Sequence, residues 1–466
     1  MKYISIIIIL FLSIFFSCRD DKIIADPSVK LSFSADTVMF DTVFTEIGST
    51  TKKFVVYNNE NGSVNIEKIF LAGGTNSNYR LNIDGIKDFK VDNVLIKSKD
   101  SLFIFVEVTV DPTNINTPMV VKDSIIFITN TNVQDVNLVA FGQDYHLING
   151  QYVNTQTWIN DKPYLVYNSM AVDSAESLTI EEGCQIHFHH NSSLYVLGSL
   201  IVQGTLDNPV VFQGDRLESI YDDIPGQWGY IHLLRGSHDN VIDYAIIKNS
   251  IIGLQVDTFL NNEPSLIISN SRIENVNAVG IFAQGAIIQA NNCVISNCGQ
   301  YALALTIGGD YQFYHCTIGN YWTFGTRTTP SLVLNDYYTS VNGNIIPREI
   351  ENAYFGNCII YGANESEIVI DDDGFPGGIN YRFEHCIVRT NPDMELPSER
   401  FINCIVNIDP LFIDANENNL ELDTLSLAKD AGDNVTAQFF PYDIKGVSRL
   451  SDNAPDLGAY ERIENQ

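Results

Sequence analysis

Apolar residues recur at every second position in short runs along most of the chain, and polar or turn residues separate the runs. From Leu178 the pairs Leu178/Ile180, Ile186/Phe188, Leu194/Val196, Leu200/Val202 and Val210/Phe212 follow one another, with Gly, Asn, Ser and Pro between them. A period of two broken by frequent turns predicts short strands. Further on the pattern condenses into a tetrad: Asn292-Cys293-Val294-Ile295, His315-Cys316-Thr317-Ile318, Asn357-Cys358-Ile359-Ile360, His385-Cys386-Ile387-Val388 and Asn403-Cys404-Ile405-Val406. Weaker forms stand at Tyr244-Ala245-Ile246-Ile247 and Asn270-Ser271-Arg272-Ile273. Side chains alternate across a strand, so the cysteine and the residue two later share an inward face. Ser271 to Cys293 is 22 positions and Cys293 to Cys316 is 23, about one solenoid coil each. The 42 positions from Cys316 to Cys358 predict two coils, with Leu332–Leu334 supplying the strand between them. Later spacings of 28 and 18 put loops of uneven length on a constant strand, which is where a binding face would sit.

The first part of the chain alternates differently. From Ser28 to residue 145, runs such as Phe54–Tyr57, Leu102–Val110, Ile125–Thr129 and Val136–Phe141 lie between Asn, Gly and Asp turns, which predicts an all-β sandwich. It carries no cluster of His, Cys or paired carboxylates, so a spacer role is expected. The segment with Trp158 and Pro163 reads as a connector, residues 146–406 as the solenoid, and 407–466 as its C-terminal cap. At the N-terminus Lys2 precedes the apolar run Ile4–Phe16, too short to span a bilayer but right for the core of a signal peptide.

Composition narrows the partners. Charged residues are 18% and apolar ones 45% of 466 residues, which excludes a disordered chain. The net charge of −30, from 57 acidic and 27 basic residues, argues against nucleic acid or anionic lipid headgroups.

Several stretches resemble known families. Ser17-Cys18-Arg19-Asp20-Asp21-Lys22 after the apolar run resembles a Bacteroidetes-type lipoprotein signal, with Phe15 where the usual pattern has leucine. The resemblance implies a signal peptide over residues 1–17, acylation of Cys18, a tether over 18–27, and an anchor in outer-membrane lipid at the cell surface. FDTVFTEIGSTTKKFVVYNN and VAFGQD resemble immunoglobulin-like domains that precede β-helices in such lipoproteins. LTIEEGCQIHFHHNSSLYVLGSLIVQGTLDNPVVF and IPGQWGYIHLLRGSHDNVIDYAIIKNS resemble the first coils of right-handed parallel β-helices of the pectate-lyase-like kind. The handedness comes from that resemblance. LAKDAGDN, YDIKGVSRL and APDLGAYE resemble a choice-of-anchor-like C-terminal motif, matched at Asp430, Gly432, Asp443, Gly446, Arg449, Asp456, Gly458 and Glu461. A solenoid end exposes a strand edge and an open core, so this motif reads as the cap, with Arg449 paired to a carboxylate.

Candidate chemistry is spread over the loops. Only Cys293 and Cys298 stand close together and no histidine pair follows at finger spacing, so the thiols read as stacked core residues and not as zinc ligands. His187, His189 and His190 should line the outer surface. The β-helix lyases that the chain resembles use carboxylate-bound calcium with a base, and inverting hydrolases need two carboxylates flanking a water. The candidates are Asp215, Glu218, Asp222 and Asp223 in one loop and Asp371, Asp372 and Asp373 in another, with Arg216, Arg235 and Arg382 as cations. The Asp371–Asp373 triplet runs into glycines and reads as a solvated turn with weak calcium affinity. The Gly-His-Gly and Arg-x-Lys of the hydrolase pattern are absent. Trp228, Tyr230, Tyr321 and Trp322 lie in or beside the loops and offer sugar-stacking rings. The resulting expectation is a lipid-anchored surface protein that binds an extracellular glycan or another surface partner without catalysis. A polysaccharide lyase or hydrolase is one alternative, and a structural or adhesive protein the other. The enzyme alternative puts its site in the 215–235 loops or near Asp371, and it gains support if Asp215, Asp222, Asp371 and an arginine meet in one groove.

Overall fold

The computed structural model describes residues 22–258, 263–375, 377–393, 395–451 and 453–463. The expected signal peptide over residues 1–17 and the expected acylation site Cys18 lie outside them. Among the described residues no helix is long and apolar enough to cross a membrane. The chain divides into two compact units between Asp144 and Tyr145.

The first unit is a sandwich of two five-stranded sheets. One orders Ser32–Phe33, Lys52–Tyr57, Ser101–Val108, Tyr79–Ile83 and Ile86–Lys87; the other orders Thr37–Phe44, Asn132–Gln143, Met119–Thr129, Val64–Leu71 and Lys90–Ile96. Alternation sets the faces: Leu102, Ile104, Val106 and Val108 are buried while Phe103 and Phe105 point out. All pairings of these strands are antiparallel except that of Thr37–Phe44 with Asn132–Gln143.

The second unit is a parallel β solenoid with three faces. Sheet A stacks ten strands, from Gln156–Trp158 through Ile287–Asn291, Gly309–Tyr314 and Ile350–Gly356 to Phe401–Ile402. Sheets B and C run continuously into each other. B includes Gln185–Phe188, Val210–Gly214, Val294–Cys298, Thr317–Asn320 and Ile359–Gly362. C includes Leu194–Val196, Ile231–Leu233, Ile252–Asp257, Val279–Gln284, Leu303–Thr306, Leu332–Asn335 and Ile368–Asp371. The expected connector is part of the solenoid: Tyr164–Val172 pairs back with His146–Val153 and forward with strands of both B and C, and turns the corner at Asn168 and Ser169. Trp158 fills its core, stacked on Tyr164 at 4.1 Å.

The tetrad is the corner from A to B. Its polar residue takes the left-handed conformation: Asn270, Asn292, His315, Asn357, His385 and Asn403 have φ between 50 and 55°, a region where asparagine and histidine are enriched. The corner side chains bond along the axis, Asn292 to Asn270 at 3.0 Å, Asn357 to His315 at 3.1 Å and Asn403 to His385 at 3.0 Å. Each thiol donates back to the carbonyl two residues earlier, at 3.3 to 3.5 Å from Cys293 to Cys404. Cys184 occupies the same slot in an earlier coil, with Gly183 supplying the positive φ of 75°. The tetrad pattern does not reveal it, because glycine replaces the polar residue. Burial raises the Cys184 and Cys298 thiols to about 12, so they stay neutral and behave as small apolar groups. On sheet A the rings of Phe313, Phe355, Phe383 and Phe401 stack at 5.2, 4.9 and 5.0 Å along the core.

Two expectations need correction. Thr317–Asn320 pairs directly with Ile359–Gly362, so Cys316 to Cys358 is one long coil. Leu332–Asn335 is its sheet C strand, and the extra length lies in residues 321–331 and in the hairpin Tyr337–Thr339/Ile345–Pro347. The first of these loops is fixed by the buried, bidentate pair of Arg327 with Glu367 at 2.6 and 2.8 Å. The second correction concerns the C-terminal segment, which does not plug the open end. It runs back along the outer face of sheet B, where Leu420, Ile444, Ala459 and Tyr460 pack on Val294, and Leu422, Ala428 and Leu457 on Ile359 and Ile387. Cys404 and Val406 at the last coil stay half-buried. The physical reason is that sheet B presents apolar residues outward as well as inward, and these need cover. Arg449 pairs with Glu461 at 3.2 Å and also reaches the corner residue Asn292 at 3.2 Å. Asp443 and Asp456 accept backbone N–H groups of Val447, Glu461, Asp430 and Arg462, which are structural uses of these acids.

Candidate functional site

Sheet C presents a continuous outward column of polar and aromatic side chains. Its strands alternate, so between the inward pairs Leu194/Val196, Ile231/Leu233 and Leu254/Val256 stand the outward residues Tyr195, His232 and Gln255, in register from coil to coil. Tyr230 joins them: its ring meets Tyr195 and His232 edge-on at 5.8 Å, and its hydroxyl lies 3.3 Å from that of Tyr195. That hydrogen bond and partial burial raise the Tyr230 phenol to about 12. Further along, Phe282, Ala304 and Val333 continue the column as a small apolar patch.

A second column runs along the edge where C turns towards A: Asp257, Gln284, Thr306, Asn335 and Asp371. At one end His232 Nε2 and Asp257 Oδ2 are 3.0 Å apart, while among the described residues the buried Oδ1 of Asp257 has no hydrogen-bond partner. Asp257 lines a cavity of about 380 Å³ with Thr258, Gln284, Arg235 and Arg348. Arg348 arrives there from the end of the hairpin excursion, its guanidinium over the Tyr338 ring at 5.3 Å. Among the described residues neither Arg235 nor Arg348 has a carboxylate within salt-bridge distance. The cavity therefore offers two cations without a carboxylate partner among the described residues, the Asp257 carboxylate, an amide and a hydroxyl.

At the far end of the column Asp371 accepts from Asn335 at 3.0 Å and from Tyr337. The acidic cluster is consequently not Asp371–Asp373: Asp336, Asp372 and Asp373 bring one carboxylate oxygen each within 4.8 Å of one another. Burial, then repulsion from Asp373 and Asp372, raises the Asp336 carboxyl. Three hard oxygens are of the type calcium takes.

The remaining candidates scatter. Asp215 follows the sheet B strand Val210–Gly214 and holds His189 at 2.7 Å, with Tyr167 stacked on that imidazole at 4.1 Å. Asp223 accepts from Asn275, the Asp222 carbonyl accepts from Asn249, and Arg216 pairs with Glu218 within its own loop. Asp371 is five rungs from the coil of Asp215, roughly 24 Å at about 4.8 Å per rung. Arg382 pairs with Glu384 on sheet A. The acids and an arginine thus do not meet in one groove. Trp228 is core, stacked on Phe188 at 4.3 Å with its N–H donated to the Lys248 carbonyl. Tyr321 packs under the C-terminal segment against Phe412, and Trp322 lies against Phe324. His187 is buried rather than lining the surface. Its Nδ1 lies 3.2 Å from the Gly214 carbonyl oxygen, and burial lowers its pKa to about 4.

Sequence reading finds Arg235, Tyr230 and part of the acidic cluster, and misses His232, Asp257, Arg348, Tyr195 and Asp336. The signal for Tyr195 and His232 is present as the residue between two inward aliphatics. Arg348 has none, because a hairpin carries it in.

A family model described as a right handed beta helix region matches residues 123–318. The second unit is a right-handed parallel β-helix. The match begins inside the sandwich strand Met119–Thr129 and ends in sheet B, and the later coils of the β-helix follow by unbroken strand register. No curated protein matches the chain. Among solved structures, a family 123 glycoside hydrolase from Clostridium perfringens aligns with 27% of this chain and 31% of its own, at 6% identity and a TM-score of 0.19. The ASH/PapD-like domain 7 of human CEP192 aligns over 26% of this chain and 88% of its own, at 11% identity and a TM-score of 0.18. This chain thus spans under a third of the hydrolase, and neither TM-score carries an argument.

Proposed function

We propose that the protein holds an extracellular, uronate-bearing glycan on sheet C without cleaving it. One observation carries the reading: Arg235, Arg348 and the Asp257 carboxylate line a single cavity at the end of an outward polar column. A guanidinium matches a sugar carboxylate in a two-pronged contact. The Asp257 carboxylate accepts a sugar hydroxyl, and the Tyr195–Tyr230 pair supplies ring surface. The scatter of the acids speaks against a lyase or hydrolase. In the same reading, acylated Cys18 anchors the chain in outer-membrane lipid and an immunoglobulin-like sandwich serves as spacer; the resemblances described above support this part. Calorimetric titration with galacturonate, guluronate and mannuronate oligomers, with and without calcium, tests the binding. We expect saturable binding that Arg348→Ala weakens at least tenfold, with no ultraviolet-absorbing unsaturated product and no new reducing ends. Unsaturated product would move the assignment to a lyase, and no binding to any acidic oligomer would end the reading. Labelled palmitate incorporated into the wild type but not into Cys18→Ser tests the anchor.

A further inference from the structure

A second cleft lies on another face of the β-helix, where the C-terminal segment stands against sheet A. It encloses about 390 Å³. Its floor is built from the neighbouring strands Ile287–Asn291 and Gly309–Tyr314, in which Gln289 pairs with Gln312 and Asn291 with Tyr314, with Ile267 of the preceding strand beside Gln289. Residues two apart on a strand share a face, so the side chains of those two pairs point outward together from adjacent rungs. The wall is the short helix Asn434–Phe439 and the residue after it, Phe440.

The wall is held in place. Asp433 caps the helix by accepting from the Thr436 N–H at 2.8 Å, and its own N–H donates to Asn357 of the A–B corner at 2.7 Å. Phe440 stacks on Tyr314 at 5.1 Å and 29°. Phe439 is left 74% exposed at the rim, although the wall that carries it is fixed at both of these points. On the floor, the Tyr314 hydroxyl donates to Gln312 at 3.5 Å. Among the described residues the Gln289 and Asn291 amides make no side-chain hydrogen bond.

Among the described residues, no carboxylate, ammonium, guanidinium or imidazole lines this cleft. It offers planar amides with free donors and acceptors beside aromatic rings. A pyranose has the complementary surface: C–H groups on one face, and hydroxyls at its edge that both donate and accept. A charged ligand would find no counter-ion here, and a purely apolar one would strip water from three amides without replacing their hydrogen bonds. We propose that this cleft binds an uncharged saccharide, with Phe439 as the stacking platform and Gln289, Asn291 and Gln312 bonding the hydroxyls. The site is separate from the sheet C cavity, and it stands even if the uronate reading falls.

The test uses the full chain, neutral hexasaccharides of glucose, xylose and mannose, and the uronate oligomers as comparison. Because Phe439 is exposed, Phe439→Ala should fold as the wild type does, which circular dichroism verifies. We expect at least one neutral hexasaccharide to bind saturably. Phe439→Ala should weaken it at least tenfold and Gln312→Ala severalfold, while Arg348→Ala leaves it unchanged. The inference is overturned if no neutral hexasaccharide binds, or if Phe439→Ala binds as tightly as wild type. It is equally overturned if Arg348→Ala abolishes neutral and acidic binding together, since one sheet C site would then account for both.

Discussion

Two of the three corners of the β-helix are built on opposite plans. Where sheet A turns into B, every coil from Asn270 to Asn403 turns on one left-handed residue, followed in five coils by an inward thiol, and the C-terminal segment lies over the sheet beyond. Where C turns towards A, the connection varies. It is two residues long between Leu194–Val196 and Ser199–Gln203, and elsewhere it grows into the hairpin that brings Arg348 back to Asp257. A corner repeated without change and then covered is committed to stability. A corner of variable length left open is free to carry function. The difference also separates two kinds of charge. Arg449 and Glu461 are buried partners at the closed corner, whereas among the described residues Arg235 and Arg348 at the open one have no carboxylate partner.

Substitutions should divide along the same line. The largest effect is expected inside the closed half. Phe355→Ala removes the second ring of the four-ring stack and should cost about 3–5 kcal/mol in denaturant unfolding; a loss below about 1 kcal/mol would mean the stack contributes little. Arg449→Met removes the guanidinium that pairs with the buried Glu461 carboxylate and should cost about 3 kcal/mol. A neutral result there would make the C-terminal segment an appendage rather than a brace.

Acid should act on the closed half next. His187 is neutral when folded, with a pKa lowered from 6.5 to about 4 by burial. Between those values the unfolded chain takes up a proton that the folded chain refuses, so stability held above pH 6.5 is lost as pH falls. The loss is at most on the order of 3 kcal/mol. His187→Gln should flatten stability across that window, and an unchanged slope would assign the acid sensitivity elsewhere. The smallest effect on stability belongs to the open corner, where Arg235→Ala and Arg348→Ala should each shift unfolding by no more than about 0.5 kcal/mol. A larger loss would give these arginines a structural role.

Legibility in the sequence follows the same division. The closed corner is readable because one local rule repeats: a residue tolerant of positive φ, a small inward side chain, then a strand. Cys184 escapes only because Gly183 meets the backbone requirement without being polar. The open corner is not readable because its residues meet through the stacking of coils. Asp257 and Arg348 are 91 positions apart, and a hairpin of no fixed length joins their surroundings. The coil between Cys316 and Cys358 misleads for the same reason, since counting positions cannot tell an excursion from an extra rung. The covering role of residues 407–463 is likewise hidden, because the outward apolar residues Val294, Ile359 and Ile387 read as ordinary members of buried strands.

The most direct test of the central claim is titration of the full chain with a uronate oligomer while the solution is monitored for ultraviolet absorbance. Saturable binding is expected, with its loss in the Arg235→Ala/Arg348→Ala double variant at unchanged unfolding, and a flat absorbance trace throughout. Equal binding by the double variant, or a rising absorbance with wild type, would contradict a non-catalytic uronate site at the open corner.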